Sequence, residues 1–140
     1  MGKKRVARLL SGVLVGISLL GTVLMAQARA VGPVGYGFEF YPSDSTRTQY
    51  TDTYYRSQTG AYGTVTGKSI GGDVGSIKLT IYHCNMQTLS PDAAMTSSAY
   101  GKLGTTNLYY GSQWVNTGGF TRLQGKAGYV EAMMSGYWNP

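Results

Sequence analysis

The chain has 140 residues, a formal net charge of +6, one histidine and one cysteine. A lone cysteine excludes an internal disulfide framework, and a lone histidine excludes a histidine-rich metal site. The charge would suit nucleic acid or a membrane, so its placement along the chain decides what it means.

The chain opens with Lys3, Lys4, Arg5 and Arg8, followed by an uncharged apolar run from Leu9 to Met25 and then Ala28-Arg29-Ala30. A basic start, an apolar middle and a small-x-small end are the order of a secretory signal. Cleavage is expected after Ala30, with Ala28 and Ala30 as the two small residues that the peptidase reads. The alternative is an uncleaved N-terminal membrane anchor. No cysteine lies near the cut, which excludes lipidation there. Residues 1–30 are therefore expected to be a leader, and residues 31–140 a single secreted domain.

The leader carries five of the positive residues, Arg29 included, and no negative one. Beyond it Arg47, Arg56, Lys68, Lys78, Lys102, Arg122 and Lys126 face Glu39, Asp44, Asp52, Asp73, Asp92 and Glu131, a net of +1. These charges are scattered singly along the chain. Nucleic-acid binding thus lacks its electrostatic basis.

All 12 tyrosines, both tryptophans and all 3 phenylalanines follow residue 30. Tyr, Thr, Val and Gly in this mixture spell strands and turns. Tyr36, Phe38 and Phe40 alternate with Gly37 and Glu39, the first strand. Gln49–Arg56 and Ala61–Gly67 read as the next two. Ser76–Tyr82 has the cleanest alternation, with Ile77, Leu79 and Ile81 on the core side and Lys78, Thr80 and Tyr82 on the other. Pro91–Met95, after Ser90, reads as one short helical turn. Asn107–Val115, Phe120–Gln124 and Gly128–Trp138 complete the set. In the last, Val130, Ala132, Met134, Gly136 and Trp138 form the apolar face, and Ser135-Gly136 suits a bulge. Turn signals at Pro42–Ser45, Gly71–Asp73 and Thr117–Gly119 separate these runs. The expected fold is all-β, an antiparallel sandwich or barrel of about seven short strands, preceded by a cleaved signal helix.

Catalytic patterns are sparse. His83 and Cys84 are neighbours and would point to opposite faces of a strand, so they cannot serve as base and nucleophile there. No zinc-protease, dithiol, nucleophile-elbow or phosphate-loop motif occurs. Glu39 and Glu131 could meet across a sheet as a sugar-cleaving pair, yet the same placement suits two solvated carboxylates. The expectation is a protein that is not an enzyme and needs no cofactor or metal. The one excess is aromatic. Tyr54, Tyr55, Tyr109, Tyr110 and Trp114 are candidates for a stacking surface, each doublet sending one ring outward. Cross-strand pairing along the sheet faces is the simpler account of them. Cys84 is expected to be a half-buried strand residue, or else to join two chains by a disulfide.

Tyr36-Gly37-Phe38-Glu39-Phe40 soon after the cut, Tyr55-Arg56, and Ser135-Gly136-Tyr137-Trp138 near the C-terminus resemble a family of small secreted proteins of Gram-positive bacteria, a domain of unknown function. That resemblance implies secretion and a β-rich domain and supplies no site residues. A weaker likeness is to bacteriocins of the lactococcin 972 type, with the same leader and a Gly- and aromatic-rich β-domain. The expected function is binding or assembly at or outside the cell surface, with cell-wall glycan or another secreted protein as partner. The alternative is an antimicrobial protein acting on the envelope of related bacteria.

Overall fold

The computed structural model describes residues 33–56 and 60–140, so the leader, with Ala28 and Ala30, lies outside the described residues. Ten strands follow in chain order: β1 (Val34–Phe40), β2 (Thr48–Tyr50), β3 (Tyr54–Arg56), β4 (Tyr62–Gly72), β5 (Lys78–Cys84), β6 (Pro91–Ala94), β7 (Ala99–Tyr100), β8 (Gly104–Tyr109), β9 (Gly119–Lys126) and β10 (Ala132–Asn139). They make two antiparallel sheets. One has the order β1-β10-β4-β8; the other has the order β2-β9-β5-β6, with β3 also on β9 and β7 on β5. Among the described residues the only helical pieces are two 3-10 turns, Val74–Ser76 and Ser112–Trp114.

The sheets share one core. Tyr36, Phe38 and Phe40 of β1 and Ala132, Met134 and Trp138 of β10 face Leu79 and Ile81 of β5 and Leu123 of β9. Each strand contributes every second residue, the period-two rule that the sequence displays. Among the described residues the buried apolar core runs from Tyr36 to Trp138, with Val34 packed against it.

Ile77, Leu79 and Ile81 are fully buried, on the side expected. Thr80 faces the other way, as expected, but is buried as well: its hydroxyl bonds Ser98 at 2.7 Å. The helical turn expected at Pro91–Met95 is absent. Pro91–Ala94 is β6, because Ala93 and Ala94 find strand partners in His83 and Tyr82. Pro91 stands first in that strand, where its missing N–H is tolerated. The run Gln49–Arg56 divides in two. β2 pairs with residues 124–126 and β3 with residues 119–121 of the same neighbour. The gap is bridged by the Thr51 hydroxyl, which accepts from the Leu123 N–H at 3.1 Å, and by Arg122, whose Nε donates to Thr53 at 2.7 Å. The run Asn107–Val115 leaves the sheet at Tyr109 and closes into the second 3-10 turn.

The bulge expected at Ser135-Gly136 is present: Ser135 pairs with Ser69 and Gly136 with Gly67, so Lys68 of β4 is the extra residue. A Cβ on Gly136 would overlap the Thr66 carbonyl, which is why this position is glycine. Gly125 has a second close approach. The Phe38 ring lies flat enough on β9 that a Cβ there would sit 2.6 Å from it.

Leu79 is wholly enclosed while Lys78 is exposed. Leu79→Asp should remove the cooperative thermal transition, since an unpaired buried carboxylate costs more than about 4 kcal/mol. Lys78→Asp should melt within a few degrees of the parent. Circular dichroism melts of both variants check the facing of β5.

Candidate functional site

The outer face of the β1-β10-β4-β8 sheet is built from short side chains. Gly35 and Gly37 of β1 lie opposite Tyr137 and Ser135 of β10, which in turn pair with Thr66 and Ser69 of β4. Thr105 and Asn107 of β8 extend the same rows. Alternation sends the large apolar residues inward, so hydroxyls, amides and bare backbone remain outside. Three tyrosines rise from this floor. Tyr62 and Tyr109 are a cross-strand pair, edge to face at 5.6 Å, and are 46% and 57% exposed. Tyr137 stands further along, with the Lys68 ammonium 5.5 Å from its ring centre.

Beside Tyr137 the floor dips into a shallow depression of about 130 Å³, lined among others by Gly37, Glu39, Ser69, Met133 and Ser135. Ligand pockets that enclose a small molecule run to roughly 300–1,000 Å³. This depression is smaller and suits one ring or side group of something longer. The Tyr41 hydroxyl donates to Glu39 at 3.4 Å. Glu39 first, then burial, and more weakly Glu131 and Asp44 push the Tyr41 pKa up, so both carboxylates considered for sugar cleavage lie within electrostatic range of that hydroxyl, and no direct contact joins them among the described residues.

The five aromatic residues singled out in the sequence do not share a surface. Each doublet does send one ring outward and one inward. Tyr109 is the outward ring on β8, while Tyr110 is buried. Tyr55 packs outward on Phe120 at 5.5 Å. Tyr54 turns inward against Trp138 at 5.9 Å. Trp114 sits at the end of the sandwich, stacked on His83 at 5.1 Å with 24° between the planes. Tyr62 and Tyr137, which were not singled out, are the residues that join Tyr109 on one face. Their signal was present in the spacing, since each alternates with core residues of its own strand.

That end of the sandwich gathers the remaining chemistry. His83 Nδ1 and Asp92 Oδ1 are 2.7 Å apart, across the β5-β6 hairpin. Reading Pro91–Met95 as helical hid this pair, because only a strand there brings Asp92 alongside His83. Gly119 lies beside the far nitrogen, where a Cβ would be 3.5 Å from Nε2. Cys84 is buried, and burial pushes its thiol pKa up to about 11, so it is a protonated thiol at neutral pH. Arg56 is 2% exposed. Its guanidinium lies 3.7 Å over the Tyr110 ring centre, and one Nη donates to the Trp114 carbonyl at 2.6 Å. No carboxylate pairs with it among the described residues. Among the same residues no three His, Cys, Asp or Glu side chains gather as metal ligands would. No family model, curated protein or solved structure matches this chain, so the site is read from its own geometry.

Burial raises the Tyr36 and Tyr110 hydroxyls from 10.0 to about 12 and Cys84 from 9.0 to about 11. Between about pH 9 and 12 the unfolded chain releases these protons and the folded chain keeps them, so stability falls as pH rises. The urea midpoint should hold steady up to about pH 9 and then drop, each group contributing on the order of 2 kcal/mol by pH 12. Tyr110→Phe should shallow that slope and should cost little at pH 7, because it keeps the ring beneath the Arg56 guanidinium and removes only the hydroxyl's contact with that cation.

Proposed function

We propose that residues 31–140 act as a secreted, non-enzymatic binding module at or outside the cell surface, through the outer face of the β1-β10-β4-β8 sheet. The observation that carries this reading is the set of exposed rings, Tyr62, Tyr109 and Tyr137, on a floor of Thr, Ser, Asn and Gly. Exposed rings on rigid strands stack on a flat apolar face at little entropic cost, and the surrounding hydroxyls and amides satisfy polar groups at its edge. A sugar ring has both a flat C–H face and a polar edge, so cell-wall glycan fits this floor better than an apolar peptide.

Secretion is supported by the order of charges, apolar run and small residues in the leader, and by the resemblance to small secreted Gram-positive proteins. A disulfide between two copies through Cys84 would first require the end of β5 to open, since that thiol is buried. The likeness to bacteriocins supports a second reading, in which binding to the envelope harms the cell bound.

Purified residues 31–140 should co-sediment with isolated cell-wall sacculi. Tyr62→Ala with Tyr109→Ala should weaken that binding about tenfold, as expected for two stacked rings worth roughly 0.5–1.5 kcal/mol each. The melting temperature should fall by only a few degrees, the cost of losing one exposed cross-strand pair, and the fold should be kept. Retention of full affinity by the double variant would place the contact elsewhere. Growth arrest or dye entry in related bacteria would favour the antimicrobial reading.

A further inference from the structure

The opposite surface of the sandwich, the outer face of the sheet built on β9 and β5, carries a charge pattern that the linear sequence conceals. Lys78 of β5 and Lys126 of β9 are direct cross-strand partners, both exposed. Like charges directly opposite one another destabilise a sheet. Arg122 projects from the same face of β9, four residues along, on the order of 13 Å away at strand rise. All six acidic residues of the chain lie among the described residues. None of them pairs with these three cations; the sole ion pair among the described residues is His83 with Asp92. Glu39 is on the other sheet, Asp44 caps the turn after β1, and Asp73 accepts from Ser76.

Tyrosines flank the cations. Tyr100 of β7 is the partner of Lys78 and is 64% exposed; Tyr50 of β2 is 39% exposed and meets Tyr82 edge-on at 6.0 Å. The row between them is internally satisfied: Thr80 bonds Ser98 at 2.7 Å, and the Gln124 amide donates to the Tyr50 hydroxyl at 2.8 Å. This face therefore offers cations and rings spread over four strands, with the hydroxyls and amide at its centre already committed to one another.

We propose that this face docks on an anionic phospholipid bilayer. Lys and Arg lie against the phosphates, and Tyr100 and Tyr50 sit at headgroup level, where amphipathic rings are favoured. The two-dimensional spread of charge, flanked by rings, matches a plane of headgroups; a single linear polyanion would contact only one line of it. The inference rests on the reading that the domain works at the cell surface, and it uses the sheet face opposite the tyrosine floor.

The test is sedimentation of residues 31–140 with vesicles of phosphatidylcholine, with and without phosphatidylglycerol. Binding is expected only with phosphatidylglycerol, and should vanish as ionic strength rises from about 0.01 to about 1 M, where the Debye length falls from about 30 to 3 Å. Lys78→Gln with Lys126→Gln should lower partitioning at least about 25-fold, near fivefold per cation removed. The fold should survive, because a like-charge contact is relieved. Tyr62→Ala with Tyr109→Ala should leave vesicle binding intact while weakening wall binding, and the lysine variant should do the reverse, so failure of one surface is separable from failure of the other. Equal binding to both vesicle types overturns the proposal, as does full binding by the lysine variant. Salt-sensitive binding to duplex DNA or to soluble polyglycerol phosphate, with vesicles left bare, overturns it as well.

Discussion

The bulge at Lys68 is the constraint on which the four-stranded sheet depends. Before it, β4 turns its odd-numbered residues inward: Gly63 beneath Ile81, Val65 in the core, Gly67 against Met134. After it the parity reverses, so Ser69 pairs outward with Ser135 while Ile70 pairs with the inward-facing Met134. One extra residue thus lets an 11-residue strand serve the core over its first half and the depression beside Tyr137 over its second. The bulge exists only because Gly136 has no Cβ to meet the Thr66 carbonyl. It also sets Lys68 over the Tyr137 ring, so the packing requirement and the exposed chemistry of that face come from the same backbone event.

At the end of the sandwich, cohesion comes from a buried cation. Arg56 connects β3 to the Trp114 carbonyl, to the Tyr110 ring and to the Met95 sulfur. A desolvated guanidinium without a carboxylate is costly, and burial lowers its pKa. The ring face and the carbonyl dipole offset part of that cost. What the arrangement achieves is position. Holding the 3-10 turn through Trp114 places that indole under His83, and Asp92 fixes the imidazole from the other side. A chain with one cysteine has no covalent staple for this loop, and the guanidinium takes that role.

The alternation of Tyr36, Phe38 and Phe40, and of Ile77, Leu79 and Ile81, made both core layers legible, because a strand buried on one face writes its facing into every second residue. The slip at Ser135-Gly136 was legible only in part: its place in β10 could be read from the Ser-Gly pair, but the extra residue is Lys68 of the partner strand, and β10 keeps its alternation unbroken through Ala132, Met134 and Trp138. Pro91–Ala94 was not, since a proline followed by Asp and Ala favours a helical start locally and becomes a strand only through its pairing with β5. The aromatic residues show the limit most clearly. Tyr109 and Tyr110 could be assigned one outward and one inward, but which of the outward rings share a surface depends on strand order. Strand order places Tyr109 beside Tyr62 and sends Tyr55 to the other sheet.

Charge obeys the same logic. Lys78, Arg122 and Lys126 are isolated positives along the chain, and a count along the sequence finds nothing basic. Pairing β5 with β9 makes two of them direct cross-strand partners and brings the third onto the same face. The acidic residues fall mostly in turns and at strand ends, so sheet formation gathers cations on a face and leaves carboxylates at the rim. A net charge of +1 for the domain therefore coexists with a locally cationic plane. That is the physical reason a weakly charged β-domain has two unlike faces, one of hydroxyls and rings and one of cations and rings. Alternation within each strand keeps those faces apart, since a side chain on one sheet's outer surface has the whole core between it and the other.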